Sequence, residues 1–241
     1  PSVVTTRFGY DSRGRLTQRW GSAVEPEERE YDSFGRLKSL DTFRTAPGNG
    51  WDHATWPGGG IDVQDRGRVN WERHPATGLV TKEIDANAKA VEIEYDGLNR
   101  PVTRTTAEGR KRITEYVPYL GDVDAIRYEV PPASNLPETA DIEFAYDRLG
   151  RITAVTDALG TRTFAFDPTG DRRLLHEQLP AGYGESDYGP RRITHRYNAQ
   201  RRWNGYQLGD ATDPDLEADV TYTWSAFYGR LTSVTGRLDP G

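Results

Sequence analysis

The stretch Ile142-Glu143-Phe144-Ala145-Tyr146-Asp147-Arg148-Leu149-Gly150-Arg151-Ile152-Thr153-Ala154-Val155-Thr156 decides the fold. Ile142, Phe144 and Tyr146 alternate with Glu143, Ala145 and Asp147, the period of two expected when a strand buries one face and wets the other. At Asp147 the alternation stops. A carboxylate there can accept hydrogen bonds from the next backbone amides, and Gly150 can take the left-handed conformation that closes a turn. Arg151 to Thr156 then resumes with β-branched residues, so the stretch reads as a β-hairpin whose loop is a type I turn ended by glycine.

The same template, Tyr-Asp-x-x-Gly-Arg-aliphatic, recurs along the chain. It stands at Tyr10, Asp11, Gly14, Arg15 and Leu16, at Tyr31, Asp32, Gly35, Arg36 and Leu37, and at Tyr146, Asp147, Gly150, Arg151 and Ile152. A looser copy at Tyr95, Asp96, Asn99 and Arg100 replaces Gly by Asn, which also tolerates a left-handed backbone. Another at Phe166, Asp167 and Gly170 places Pro168 at the first corner of the turn. Tyr197 to Arg202 and Trp224 to Leu231 are degenerate relatives. The step from Tyr10 to Tyr31 is 21 residues and from Tyr146 to Phe166 is 20, a period that signals a repeat architecture.

This template resembles the YD repeat of the rearrangement-hotspot (Rhs) family, which includes bacterial polymorphic toxins, the cocoon subunits of insecticidal toxin complexes and the animal teneurins. The resemblance runs from Phe8 to Thr235. It implies a long strip of β-hairpins that spirals into a hollow shell, enclosing a toxic C-terminal segment or supporting an adhesion surface. The implied partners are the remainder of a parent polypeptide or further copies of the chain, with an enclosed toxin or surface glycans beyond them, in a secreted or cell-surface setting.

Composition bounds the same reading. The 241 residues suffice for one domain or one continuous array. Hydrophobic residues make up 35% and mean hydropathy is −0.79, as expected of a sheet in which only alternate residues need be apolar. Aromatics at 11%, placed in register within strands, argue against disorder. With no Cys, disulfides and thiol chemistry are excluded. With no Met, the chain from Pro1 reads as a processed product or a fragment of something longer. No apolar run approaches a membrane span, and a net charge of −6 argues against a nucleic-acid partner. The paired arginines Arg191-Arg192 and Arg201-Arg202 are read as partners for acids across strands.

Taken in order, residues 1–241 read as one array of roughly 16 to 19 short strands, all-β and mostly antiparallel. Loop insertions are expected near 42–60, 131–140, 180–190 and 209–219, where Pro and Gly cluster or acids accumulate. The repeated Tyr is expected to pack on an inward face, with an exposed sugar-stacking ladder as the alternative. The Arg after each turn is expected to lie across a neighbouring Tyr ring or to pair with the turn Asp. His53, His74, His176 and His195 show no metal-ligand spacing, so neither metal nor cofactor is expected. No nucleophile elbow, phosphate loop or distinguished carboxylate pair is present, and Asp167-Pro168 reads as a turn. Every recurrent residue has a turn or packing role, so the expectation is a structural, non-enzymatic segment. The alternative is a glycan-binding module built from Trp51, Trp56 and Trp71 around the Gly-rich insertion.

Overall fold

The computed structural model describes residues 4–44, 56, 66–118, 120–132, 134–169, 172–180, 191–210, 216–226 and 229–238. They form eighteen strands, and no helix occurs among the described residues. Two compact units are distinguished. The first, residues 1–113 with 129–135, holds β1 (Thr6–Tyr10), β2 (Leu16–Gly21), β3 (Glu27–Tyr31), β4 (Leu37–Phe43), β5 (Arg66–Arg73), β6 (Val80–Ile84), β7 (Ala90–Tyr95), β8 (Pro101–Thr105) and the start of β9 (Lys111–Tyr116). The second, residues 114–128 with 136–241, holds the end of β9, β10 (Val123–Glu129), β11 (Ile142–Tyr146), β12 (Ile152–Asp157), β13 (Gly160–Phe166), β14 (Leu174–Gln178), β15 (Arg191–Tyr197), β16 (Trp203–Asp210), β17 (Leu216–Trp224) and β18 (Leu231–Leu238).

From β1 to β9, and from β10 to β18, every strand pairs antiparallel with its successor, a meander that hairpin turns alone can connect. Of the expected insertions, the described residues of 131–140 carry no strand, and 42–60 falls largely outside the described residues. The stretch 180–190 falls almost wholly outside the described residues. Near 209–219 the strands reach further than expected: β16 extends to Asp210 and β17 begins at Leu216, because Leu208 and Ala218 pair directly across the ladder.

Cross-strand pairing sorts the side chains onto two unlike faces. In the first unit Tyr31, Leu40, Val69, Trp71, Ile93 and Tyr95 share one face, and Glu28, Glu30, Asp41, Arg68, Asn70 and Glu92 share the other. In the second unit Phe144, Val155, Phe164, Ile193, Tyr206 and Val220 share the apolar face, while Ala154, Thr163, His176, Thr194, Gln207 and Thr221 share the polar one. Among the described residues the buried apolar side chains are Pro26, Ala125 and Ala218. The aromatic face is therefore half-covered, and most of its packing is between neighbours in the same layer.

The polar face has its own anchor. Asp41 on β4 is fully buried, and Arg66 and Arg68 on β5 each grip it with two donors, at 2.7 Å for both from Arg66 and at 2.9 and 2.8 Å from Arg68. Burial pushes the Asp41 carboxyl up, but the hydrogen bonds and charges of the two guanidiniums outweigh it and hold the group below its usual range. Ser39, equally buried, donates to Glu30 at 3.0 Å.

Candidate functional site

The recurrent residues assemble into one lock, repeated from hairpin to hairpin. Its base is the turn. Asp11 Oδ1 accepts the amides of Arg13 and Arg15, both at 2.9 Å, and the Arg15 guanidinium returns to Asp11 Oδ2 at 2.7 Å. The backbone closes twice, Asp11 N–H to Arg15 O and Gly14 N–H to Asp11 O. Asp32, Asp96 and Asp147 repeat this pattern bond for bond with Arg36, Arg100 and Arg151. The left-handed positions are Gly14, Gly35, Asn99 and Gly150, with φ from 64 to 83°. Asp167 departs in detail, accepting the Thr169 amide and hydroxyl and the Arg173 guanidinium; Gly170 lies outside the described residues.

These contacts fix ionisation. The Asp11 and Asp96 carboxyls are held below their usual range chiefly by the amides of Arg15 and Arg100. Partial burial pushes Asp32 and Asp147 up, and the amide and guanidinium of Arg36 and Arg151 more than offset it. Asp167 is lowered first by the Thr169 hydroxyl.

Each turn then grips the next hairpin. The Arg15 guanidinium lies 4.6 Å from the Tyr31 ring centre, Arg151 4.5 Å from Phe166 and Arg173 5.5 Å from Tyr197. The hydroxyl of that next aromatic donates to the carbonyl of the residue following the Arg slot: Tyr31 to Leu16 O at 2.8 Å and Tyr197 to Leu174 O at 2.9 Å. Tyr95 does the same to Val80 O and Tyr146 to Val123 O, at 2.8 and 2.7 Å. At two hairpins whose residue in this slot is not Tyr, another donor takes it. Arg73 reaches Leu37 O at 3.2 Å, and Trp224 Nε1 reaches Trp203 O at 2.9 Å. In each hairpin the ladder bulges at this residue, pairing Tyr10 with Leu16, Tyr31 with Leu37 and Tyr146 with Ile152, which aims the side chain back along the sheet. The turn glycine has a second use: a Cβ on Gly78 would run into the Arg36 guanidinium, and one on Gly229 into that of Arg202.

Arg15 and Arg151 thus both pair with their turn Asp and lie over the next ring. Missed by sequence reasoning were the hydroxyl-to-carbonyl bond, the donor role of Arg73, and a further turn at Asp85. That turn caps the amides of Asn87 and Lys89 at 2.9 Å and puts Ala88 at φ 60°. The signal was present as Asp followed four residues later by a base, without the aromatic. Tyr10 is 61% exposed.

Of the tryptophans proposed for glycan binding, the described pair, Trp56 and Trp71, are not brought together. Trp56 packs edge-on against Trp20 and Phe43, with ring centres 5.6 and 6.0 Å away. Those two rings lie on the polar-face side of their strands, whereas Trp71 lies on the apolar face. Trp51 lies outside the described residues. Among the described residues no cluster of His, Asp or Glu could hold a metal ion.

Residues 146–183 match the family model described as RHS Repeat. No curated protein sequence matches. The crystal structure of TcdB2-TccC3 without its hypervariable C-terminal region matches over 95% of this chain and 14% of its own, with a TM-score of 0.53 at 13% identity. A Tc holotoxin pore from Photorhabdus luminescens matches over 95% of this chain and 13% of its own, with a TM-score of 0.53 at 13% identity. The chain therefore spans about one seventh of the length of these structures, and at this identity the likeness is one of fold. The hairpin at Tyr146 opens the matched segment, so residues 146–183 match an RHS repeat within an all-β chain whose fold resembles part of TcdB2-TccC3.

Proposed function

We propose that this chain is a structural, non-enzymatic wall segment of a longer secreted or surface YD-repeat protein, in which it encloses or presents another segment. The observation that carries the reading is the repeated lock. Asp, Gly, Arg and Tyr are each spent on shaping one turn and gripping the next hairpin, so the recurrent chemistry builds a surface. The half-covered aromatic face supports it, since a single sheet layer gains stability by packing that face against more protein. The partners are the remainder of the parent polypeptide or further copies pairing at sheet edges.

The test is the intact mass of the native polypeptide, followed by limited proteolysis under native conditions. The reading expects a chain much longer than 27.1 kDa, with cleavage spared within β1–β18 relative to the connecting segments. A native product of this mass alone, monomeric and cleaved evenly through its strands, would overturn it.

A further inference from the structure

The apolar face of β15–β18 differs from the rest of the sheet in how its aromatic residues are used. Elsewhere Tyr31, Tyr95 and Tyr146 bury their hydroxyls on backbone carbonyls, as Tyr197 does at the end of β15. On this patch Trp203, Tyr206 and Tyr222 gather into one cluster instead. The Trp203 and Tyr206 rings are nearly parallel at 10°, with centres 6.2 Å apart, and Tyr222 lies 4.8 Å from Trp203. His195 stands at the edge, 6.2 Å from Trp203, with its Nε2 at 2.9 Å from Glu177 Oε1. Trp203 is 39% exposed. Neither the Tyr206 nor the Tyr222 hydroxyl meets a hydrogen-bond partner among the described residues.

The geometry points to this patch as a saccharide-binding site, a function beyond that of a wall. An open indole offers a flat apolar surface for the C–H face of a pyranose ring. Two phenols beside it supply donors and acceptors, and the His195–Glu177 pair supplies a polar margin that holds its shape. The ligand class is a linear oligosaccharide, which presents apolar ring faces and hydroxyl edges side by side. A purely apolar partner would leave both phenol hydroxyls desolvated without acceptors, a costly arrangement. The other tryptophan cluster, Trp20 with Trp56, closes on itself edge to face and offers no such surface.

The test is calorimetric titration of the full chain with chitohexaose, cellohexaose, maltohexaose and mannohexaose, alongside light scattering of the free protein. At least one saccharide is expected to bind. Trp203→Ala is expected to weaken that binding roughly tenfold, and Tyr206→Phe and Tyr222→Phe by severalfold each, while Trp20→Phe leaves it unchanged. The two Phe variants keep the rings and the fold, so they decide the matter if Trp203→Ala fails to fold. Absence of binding by all four saccharides would overturn the inference, as would binding indifferent to these variants. So would self-association lost in Trp203→Ala, which would make the patch an interface between copies. None of these results would touch the wall reading, which rests on the native mass and the lock.

Discussion

Replacing Tyr146 by Phe removes one atom from the lock and leaves the ring in place. In the wild-type chain that hydroxyl donates to Val123 O at 2.7 Å, tying the β11–β12 hairpin to the start of β10. Its environment is partly desolvated: burial, then the charges of Asp122 and Asp124, push the Tyr146 hydroxyl's pKa up. A neutral hydrogen bond of this kind is worth about 1 kcal/mol net, with a larger loss if Val123 O finds no water. For a chain of this length that corresponds to a fall in Tm of about 2–4 °C. The matched control is Tyr10→Phe, where the ring is 61% exposed and the hydroxyl has no partner among the described residues, so the expected change is near zero. Thermal and urea unfolding followed by circular dichroism would measure both. Equal effects at the two positions, or none at Tyr146, would refute the claim that the hydroxyl couples successive hairpins.

Asp41→Ala should be the most damaging single change on the polar face, costing about 3 kcal/mol because two guanidiniums lose a buried partner; urea unfolding with no shift in midpoint would contradict this. Gly78→Ala, at φ 76° and against Arg36, should destabilise by more than about 1 kcal/mol, whereas Gly97→Ala, with open space around it, should be neutral or slightly stabilising in the same assay. Acid should act through the turns: Asp11, Asp32, Asp96, Asp147 and Asp167 sit below the usual 3.8 in the folded chain. The unfolded chain therefore takes up protons first as pH falls, and their stabilisation, complete above that value, is lost progressively below about pH 4. A Tm that stayed level from pH 5 to pH 2.5 would be incompatible with these shifts. His176 is lowered from 6.5 by burial and by the charges of Arg192 and His195, so its protonation opposes folding from about pH 6.5 downward. His176→Gln should flatten the Tm profile between pH 7 and pH 5.

The turns and strand order were legible because they depend on local chemistry. An Asp oxygen, a left-handed glycine and alternating side chains act within a few residues of one another, and Tyr146 to Ile152 displays all three. The lock was only half legible. Stacking of Arg on the next aromatic follows from the residue types, but the bond from Tyr146 to Val123 spans 23 positions, and its register depends on the bulge at Ala145/Tyr146. Arg73 could not be found by template because it shares the donor function of Tyr without its ring. Asp41 misleads in the opposite direction: a mid-strand Asp reads as a solvent-facing residue, and only the pairing of β4 with β5 brings Arg66 and Arg68 onto it. The Trp203 patch escaped for the same reason, since Trp203, Tyr206 and Tyr222 meet only through the register of the β16–β17 ladder.

The central claim is that the hairpins are successive courses of a wall within a longer polypeptide. A cryo-electron microscopy map of the native polypeptide, at a resolution that shows side chains, tests it most directly. The account predicts β1–β18 in sequential antiparallel pairing, the Tyr31, Tyr95, Tyr146 and Tyr197 hydroxyls on their carbonyls, and the aromatic face outside the Trp203 patch packed against further protein. A map in which these residues form a free-standing domain with the aromatic face bare, or in which those hydroxyls point to solvent, would contradict it.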